Sequence, residues 1–304
     1  MDETNFHKEL LDHIELLEKH FPGIGICCFG MSLDDAIGIF NTTSIPMQFK
    51  PKSIADMKKI FAGIKENGER ASIHLPNLRF DENGNILRKE ELLLMLSEKT
   101  PAGLDIITIH LGWKDVDAVL DARWNWKNTE LAVKIKNELL EVVTTGIESG
   151  KTMTLENLRY KPWKHQFREL FSSRSEHLIA ARKTLCETLA EKTGRPVEEI
   201  TAKTGFTLDA GHASGNAHLN EKYTLEFWLK TLGKNIKIIH LHDMRPEDDD
   251  GAKIEQTHTP IGEGIVDWKK FFAAKDKYCP DAPMVIELPE DDTIKSIEYL
   301  VTLK

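Results

Sequence analysis

Eight short apolar runs alternate with longer amphipathic segments along most of the chain. The runs predict strands at residues 24–29, 45–49, 71–75, 104–110, 152–156, 206–209, 236–240 and 284–287. Repeated strand–helix units predict a parallel sheet with right-handed crossovers. Eight such units fit a closed α/β barrel of the (β/α)8, or TIM barrel, type. A doubly wound open sheet is the alternative, but no GxGxxG or GxxxxGK loop follows any run, which argues against its usual nucleotide-binding form.

The remaining segments fit one domain over residues 1–304. Apolar residues share one face of a predicted helix at residues 6–20, so residues 1–22 are predicted to add an N-terminal helix to the barrel. Residues 158–204 are longer than a plain connection and predict a helical insertion after the fifth strand. No interior linker rich in Pro, Gly or Ser divides the chain, so a single domain is expected.

Composition narrows the classes of partner. The net charge of -9 disfavours a protein that grips nucleic acid through phosphates, because such proteins usually present a basic face. The four cysteines form no CxxC pair and are expected to be buried, reduced thiols. The acidic N-terminus does not resemble a secretory signal, and no apolar run approaches the roughly 20 residues of a membrane helix. These features predict a cytoplasmic protein that does not bind membranes.

Six residues suited to metal ligation lie at the ends of six different predicted strands. They are His74, His110, Glu156, Asp209, His240 and Glu287. The carboxyl ends of the strands of a barrel converge on one mouth, where active sites are built. Each residue alone could be a turn or capping residue. Their joint placement predicts a divalent-metal site, since carboxylates and imidazoles are common ligands of such ions.

The segment Phe206-Thr-Leu-Asp-Ala-Gly-His212 presents two of the candidate side chains together. The sequence predicts a strand that ends at Asp209, turns through Gly211 and then presents His212 in a loop. A plain strand and turn with a surface histidine is the alternative, because Asp and Gly are frequent in turns without any metal.

Seven ordered segments resemble those of the xylose isomerase-like barrels. The segments are SIHLPN, TIHLG, TLENL, TLDAGH, IIHLHD, HTPIGEG and IELP, and the resemblance covers the chain from about Ile24 onward except residues 158–204. That superfamily contains sugar isomerases and epimerases, inosose-processing enzymes and the endonuclease IV family. The resemblance implies a TIM barrel enzyme but does not by itself choose between these chemistries.

Similarity to the sugar epimerases implies one divalent ion held by Glu156, Asp209, His240 and Glu287. Zn²⁺, Mn²⁺ and Mg²⁺ all suit this oxygen-rich set. The ion would polarise adjacent sugar oxygens and stabilise an enediolate, while Glu156 and Glu287 remove and return the proton. The substrate contacts expected around this centre are His212, Arg245, His110 and Trp113. His242 is expected to lie outside the ligand set, and Arg159 to be a surface cation.

Similarity to endonuclease IV implies further ligands for a second or third ion. They correspond to His74, His110, His212 and His258. That family has Asp two residues before the last of these histidines, whereas this chain has Gln256, and an amide is a poor replacement for a metal-binding carboxylate. The favoured prediction is therefore a metal-dependent isomerase or epimerase of a sugar or sugar-like polyol. The alternative is a zinc-dependent phosphodiesterase acting on abasic DNA.

The tryptophans also allow two interpretations. Trp113, Trp124, Trp126 and Trp163 follow strands that end in His110 and Glu156. Their rings could stack on a sugar at the mouth of the barrel, or they could pin long loops. The acidic run at residues 248–250 is predicted to be a solvated loop tip.

Overall fold

Eight parallel strands close into a barrel, as the alternation of the sequence predicts. A computed structural model describes residues 3–159, 170–245 and 257–304. The barrel strands are β1 (Ile24–Cys27), β2 (Met47–Phe49), β3 (Ala71–His74), β4 (Ile106–His110), β5 (Thr152–Glu156), β6 (Thr204–Asp209), β7 (Ile236–Leu241) and, after a short hairpin, β10 (Met284–Ile286). Neighbours pair in chain order, and β1 pairs with β10 to complete the ring.

Helices surround the barrel. They are α1 (Glu3–His20), α2 (Leu33–Thr42), α3 (Ile54–Gly63), α4 (Lys89–Ser97), α5 (Val116–Val119), α6 (Glu130–Glu148), α7 (Ser175–Thr193), α8 (Val197–Ala202), α9 (Ala210–Leu219), α10 (Leu225–Leu232), α11 (Trp268–Tyr278) and α12 (Glu290–Thr302). Among the described residues, none of these helices combines the length and apolar character needed to cross a membrane. The helix at the N-terminus packs against α12 and β1.

The predicted turn after Asp209 is instead a helix, and this prediction was wrong. Asp209 is the N-cap of α9 and accepts the backbone N–H of His212 at 2.7 Å. The small residues that suggest a turn are required by packing. A Cβ atom at Gly211 would lie 2.0 Å from Cε1 of His242, and one at Gly215 would lie 2.9 Å from Nε of Arg159. Glycine therefore marks close approach of this helix to its neighbours.

A short antiparallel pair lies between the seventh and eighth barrel strands and was not predicted. It consists of β8 (Asp243–Met244) and β9 (Thr257–Thr259). Asp243, which is fully buried, accepts hydrogen bonds from the backbone N–H groups of Gly262 and Val266 at 3.1 and 3.0 Å. The pair and this carboxylate together hold the following loop against the mouth of the barrel.

Polar side chains fill one layer of the barrel interior directly below the strand ends. Thr207 Oγ1 lies 2.9 Å from Thr108 Oγ1 and 2.7 Å from Thr154 Oγ1, and Gln48 donates to Thr108 at 3.3 Å. All four side chains are fully buried. Successive side chains of a strand alternate between its faces, so the residue two positions later points to the same side. This layer is therefore the floor beneath His110, Glu156 and Asp209.

Candidate metal centre

The four residues implied as a metal-ligand set meet at the mouth of the barrel. Glu156, Asp209, His240 and Glu287 each place one ligand atom within 4.8 Å of the others. Their exposed fractions are 1%, 0%, 0% and 3%, so water is largely excluded from the group. Nδ1 of His240 lies between the two glutamates, 3.3 Å from Glu156 Oε1 and 2.9 Å from Glu287 Oε2.

Three further groups of candidate ligands in the described part of the chain share residues with this centre, and one of them joins His74 to His240 and Glu287. His74 and His110 place their Nε2 atoms 3.2 and 2.8 Å from Glu156 Oε2. On the other side, Asp209 joins a group that contains His212, His242 and His258. The structure thus brings together all six predicted strand-end residues and both additional histidines, His212 and His258.

From the sequence, His242 is expected outside the ligand set, and the structure places its ring in contact with one member of that set, Asp209. Its Nε2 atom contacts both carboxylate oxygens of Asp209, at 2.8 and 2.9 Å, and its ring is fully buried. The two-residue spacing from His240 would place His242 on the same strand face, but this signal weakens beyond Leu241, where β7 ends. The chain turns into β8 at this point, and the imidazole is directed across the mouth toward β6.

The donor atoms at the centre fit a cation. Within the described part of the chain, Glu156 Oε2, Glu287 Oε2 and both ring nitrogens of His240 are buried and close to one another or to other imidazoles, but none of them makes a hydrogen bond of regular geometry. Buried polar atoms of this kind are costly unless a partner satisfies them. Two carboxylates and an imidazole, with a third carboxylate from Asp209, form a suitable ligand set for Zn²⁺, Mn²⁺ or Mg²⁺.

The surrounding histidines are oriented as metal ligands usually are. Nδ1 of His74 lies 2.8 Å from the carbonyl oxygen of Leu75, and Nδ1 of His242 lies 2.8 Å from that of Asp243. A carbonyl only accepts hydrogen bonds, so each Nδ1 carries the proton and donates it. Such outer hydrogen bonds leave Nε2, which faces Glu156 in His74 and Asp209 in His242, as the ring nitrogen that would bind a metal.

Electrostatic coupling keeps the carboxyl groups ionised. Burial raises the pKa of Glu156, but the neighbouring His110 and His240 outweigh this effect and hold it well below its ordinary value. Burial likewise raises the pKa of Asp209, yet His212 and His242 lower it to about 2. For His240, burial lowers the pKa, and the charges of Glu287 and Glu156 raise it to about 10. The centre therefore stores negative charge that a cation can neutralise.

Lys50 is a charged neighbour of the centre that sequence reasoning missed. It follows β2, and its Nζ contacts Glu287 Oε1 while lying 4.9 Å from the centroid of the Phe29 ring. Burial by itself would lower the pKa of Lys50. The negative charge of Glu287 has the larger effect and raises this pKa above its ordinary value, so the ammonium form is retained. A polar residue directly after a strand was the available signal. The contact itself depends on barrel closure, which brings β2 and β10 to either side of β1.

Asn157 is the second residue that was missed. Its side chain donates to the carbonyl oxygen of Asp209 at 3.0 Å and accepts the backbone N–H of Asp209 at 2.7 Å. Its own carbonyl oxygen lies 3.1 Å from Nδ1 of His212. This amide extends the pairing of β5 with β6 by one residue and positions two candidate ligands.

Two of the four predicted substrate contacts lie in the ligand cluster, and the other two lie outside it. His110 and His212 lie within the cluster, whereas Arg245 is exposed and its Nε donates to the carbonyl oxygen of Glu263 at 2.9 Å. Trp113 is half-buried, with its ring centroid 5.9 Å from that of Phe80.

Arg159 is buried rather than on the surface, because Gly215 of α9 leaves space for its side chain. Trp124 packs on His177, with ring centroids 4.8 Å apart, and Trp126 packs edge-on against Phe171. These two tryptophans therefore pack within the protein. Trp163, Gln256 and the acidic run at residues 248–250 lie outside the described residues.

Comparison with known proteins supports the fold independently. The family model described as xylose isomerase-like TIM barrel matches residues 178–303. A search of curated proteins found no match. A xylose isomerase described as putative, from Rhodospirillum rubrum, superposes with a TM-score of 0.59 at 14% identity, covering 92% of this chain and 98% of the other.

Two solved epimerases are similar to the same extent. For 3-keto-D-glucoside 4-epimerase from E. coli the TM-score is 0.57 at 12% identity, with 92% and 99% of the two chains covered. For D-allulose 3-epimerase from Methylomonas sp., in complex with D-allulose, it is 0.55 at 12% identity, with 92% and 96% covered. At these identities the structures show the fold alone. The chain has the fold of the xylose isomerase-like TIM barrels, and residues 178–303 match the model of that family.

Proposed function

We propose that the protein is a divalent-metal-dependent isomerase or epimerase of a sugar or sugar-like polyol. The observation that carries this proposal is the placement of two buried glutamates on either side of one imidazole. Glu156 and Glu287 both lie within 3.3 Å of Nδ1 of His240, yet they come from strands at different positions in the barrel. A proton removed from one face of a carbon and returned to the other requires two such groups.

The residues that would hold the ion are Glu156, Asp209, His240 and Glu287. When bound, the ion supplies a Lewis acid that polarises the substrate's carbonyl and hydroxyl oxygens and offsets the charge created by proton removal. Glu156 Oε2 and Glu287 Oε2 support this assignment, because both are buried beside imidazoles without a hydrogen bond of regular geometry.

The protein's own groups would divide the remaining work. One glutamate would accept the proton from carbon as a carboxylate, while the other would enter the turnover protonated and return its proton to the opposite face. Transfer of a proton back between the two glutamates, through the intervening His240 or through solvent, would then restore the starting state. Lys50, bound to Glu287, also lies where it could donate to an oxygen that becomes negatively charged. His110 and His212 are proposed to bind substrate hydroxyls from the cluster, and Arg245 and Trp113 from the rim.

The solved neighbours make this reaction class the natural one to test first. Two of them are epimerases that act on sugars, and one holds D-allulose. The principal observation in favour of a phosphodiesterase is the extension of the ligand cluster on both sides of Glu156 and Asp209, which would suit several ions. The net charge of -9 opposes a DNA substrate.

Hydrogen exchange provides the decisive experiment. The purified protein is incubated with Mn²⁺ and a ketohexose panel that includes D-allulose in D₂O, and deuterium next to the ketose carbonyl is followed by NMR. Exchange should occur with at least one sugar and should be abolished by Glu156→Gln. The matched control is Glu148→Gln, because Glu148 is an exposed glutamate at the end of α6. Cleavage of abasic DNA by the wild type, without sugar exchange, would instead establish the phosphodiesterase.

A further inference from the structure

We propose a binding site for a phosphorylated small molecule on the outside of the barrel, at the end opposite the mouth. The site lies between α7 and α10, beside the first residues of β6 and β7. Thr204 begins β6 and Asp209 ends it, so about 16 Å of strand separates this site from the candidate metal centre. The proposal concerns binding alone and does not depend on the reaction that the protein catalyses.

Two adjoining cavities form the site. The first has a volume of about 370 Å³ and the second a volume of about 510 Å³. Both are lined by Arg182, Val197, Thr201 and Asn235. Ile179 and Phe206 add apolar surface to the first cavity. Small-molecule sites are concave, mostly apolar and of about 300–1,000 Å³, with a few polar groups that orient the ligand, so these cavities have a suitable size and lining.

Arg182 is the cation that both cavities share. Its Nε donates to Thr204 Oγ1 at 3.0 Å, and its Nη2 donates to the carbonyl oxygens of Thr201 and Thr204 at 2.9 and 3.1 Å. Its guanidinium also lies 5.4 Å from the centroid of the Phe206 ring. All of these partners are uncharged, and within the described part of the chain no carboxylate pairs with Arg182. Nη1 takes no part in these bonds, so its N–H groups remain for a ligand.

The lining of the two cavities carries an excess of positive charge. Its charged residues are Arg182, Lys183, Lys234 and Lys237, against Glu187 and Glu198. Four positive and two negative charges give a local excess of two positive charges, although the whole chain has a net charge of -9. Lys183 approaches Glu187 only to 4.0 Å, and among the described residues neither Lys234 nor Lys237 forms an ion pair. An anion is therefore the ligand that this lining favours.

The number and type of these cations favour a phosphate monoester. Such a group carries about -1.5 to -2 at pH 7, which matches the local excess, whereas a carboxylate carries only one charge. The planar fork of an arginine suits phosphate oxygens, and lysines add point charges around them. The hydroxyl of Thr201 and the amide of Asn235 are further hydrogen-bonding groups of the lining. The apolar surface of Ile179 and Phe206 suits the organic part of the molecule.

Titration of the full chain with phenyl phosphate tests the site, with benzoate as the singly charged comparison at the same ionic strength. Backbone amide NMR shifts report both the Kd and the place of binding. We expect phenyl phosphate to bind with a Kd of about 1 mM or lower, at least about 10-fold more tightly than benzoate. The largest shifts should fall near Thr201, Thr231 and Asn235. Equal binding of the two probes, shifts confined to the mouth, or no saturation at about 10 mM would each overturn the proposal.

Variants of the lining assign the binding to this site. Lys237→Gln, which removes a half-buried charge, should weaken binding of phenyl phosphate about 10-fold. Lys269→Gln is the matched control, because it removes one charge from an exposed position on α11 that lines neither cavity.

Arg182→Lys keeps the charge and removes the fork, so it should also weaken binding about 10-fold or more. Circular dichroism checks that this variant is folded, since Arg182 also bonds the carbonyl oxygen of Thr201 in α8. Wild-type affinity in Lys237→Gln, or an equal loss in Lys237→Gln and Lys269→Gln, would contradict the assignment whatever the result for Arg182→Lys. Failure of the sugar-exchange assay would leave these binding results unaffected.

Discussion

Lys50 Nζ contacts Glu287 Oε1, which joins the ends of β2 and β10 across the intervening strand β1. The side chain of Glu287 is only 4% exposed, and its other oxygen faces His240 at 2.9 Å. The two oxygens of this carboxylate therefore have different neighbours. One is held by an ammonium group, and the other faces the candidate metal centre.

Lys50→Met should slow turnover while leaving the protein folded and able to bind metal. The change removes a charge-assisted hydrogen bond worth roughly 1.5–3 kcal/mol, which corresponds to about a 10- to 100-fold lower rate if the bond is needed in the transition state. The rate of deuterium incorporation measures the effect. Lys52→Met is the matched control, because Lys52 is exposed nearby. Equal rates in the two variants would show that Lys50 has no role in the reaction.

Gly211→Ala should destabilise the protein even though alanine favours helices. The new Cβ would lie 2.0 Å from Cε1 of His242, whose buried ring is held at both nitrogens. Overpacking of this kind typically costs about 1–3 kcal/mol. Gly38→Ala in α2 is the control, since nothing lies within 4 Å of its added Cβ, and it should stabilise by roughly 0.5–1 kcal/mol. Urea unfolding should therefore give changes of opposite sign, and two gains in stability would refute the packing argument.

The barrel and the positions of its candidate ligands follow from local patterns in the sequence. The range of β5 was predicted as observed, and Glu156 and Asp209 end their strands as expected. Alternation of apolar runs with helices is sufficient for this prediction because each βα unit folds back on the sheet in the same way.

The contacts of His242 and Lys50 could not be predicted from the same patterns. His242 contacts Asp209 across the mouth, and Lys50 contacts Glu287 across β1, so both contacts require the closed ring. The small residues of α9 were misread for a related reason. Their size fits neighbours that are distant in the sequence, and local propensity treats the same residues as turn formers.

His177 should make the protein less stable in mild acid. It is fully buried between Trp124 and Phe171, and burial, with Arg174, lowers its pKa to about 3. In the unfolded chain, His177 binds a proton near pH 6.5, whereas in the folded chain it stays neutral until about pH 3. The free energy of unfolding is therefore unaffected by this histidine above pH 6.5 and decreases as the pH falls from 6.5 toward 3. At pH 5 the loss is about 2 kcal/mol.

His177→Phe preserves an aromatic ring and removes the titrating group. The free energy of unfolding should therefore fall by about 2 kcal/mol less between pH 7 and pH 5 in the variant than in the wild type. Chemical unfolding at both pH values measures this difference. Parallel losses in the two proteins would mean that His177 is not the group responsible.

Asp243→Asn should loosen the loop that follows β9. The wild-type carboxylate accepts four hydrogen bonds, from the backbone of Met244, Gly262 and Val266 and from Nε1 of Trp268, at 2.9 to 3.1 Å. An asparagine replaces one acceptor oxygen with an NH₂ group, so it opposes some of these donors and leaves them unsatisfied. Each buried unsatisfied group costs about 1–3 kcal/mol, so a loss of several kcal/mol is expected.

The Asp243→Asn change should also affect the position of His258, because Thr259, its neighbour in β9, pairs with Asp243. We expect faster amide hydrogen exchange at residues 257–266 in Asp243→Asn, because the backbone N–H groups of Gly262 and Val266 lose part of their acceptor. Asp281→Asn, at an exposed aspartate, is the control for loss of one negative charge. If both variants show wild-type exchange, the carboxylate does not hold this loop in place. If exchange rises only in Asp243→Asn, the hydrogen bonds of Asp243 hold His258 beside the candidate metal centre through the short β8–β9 pair.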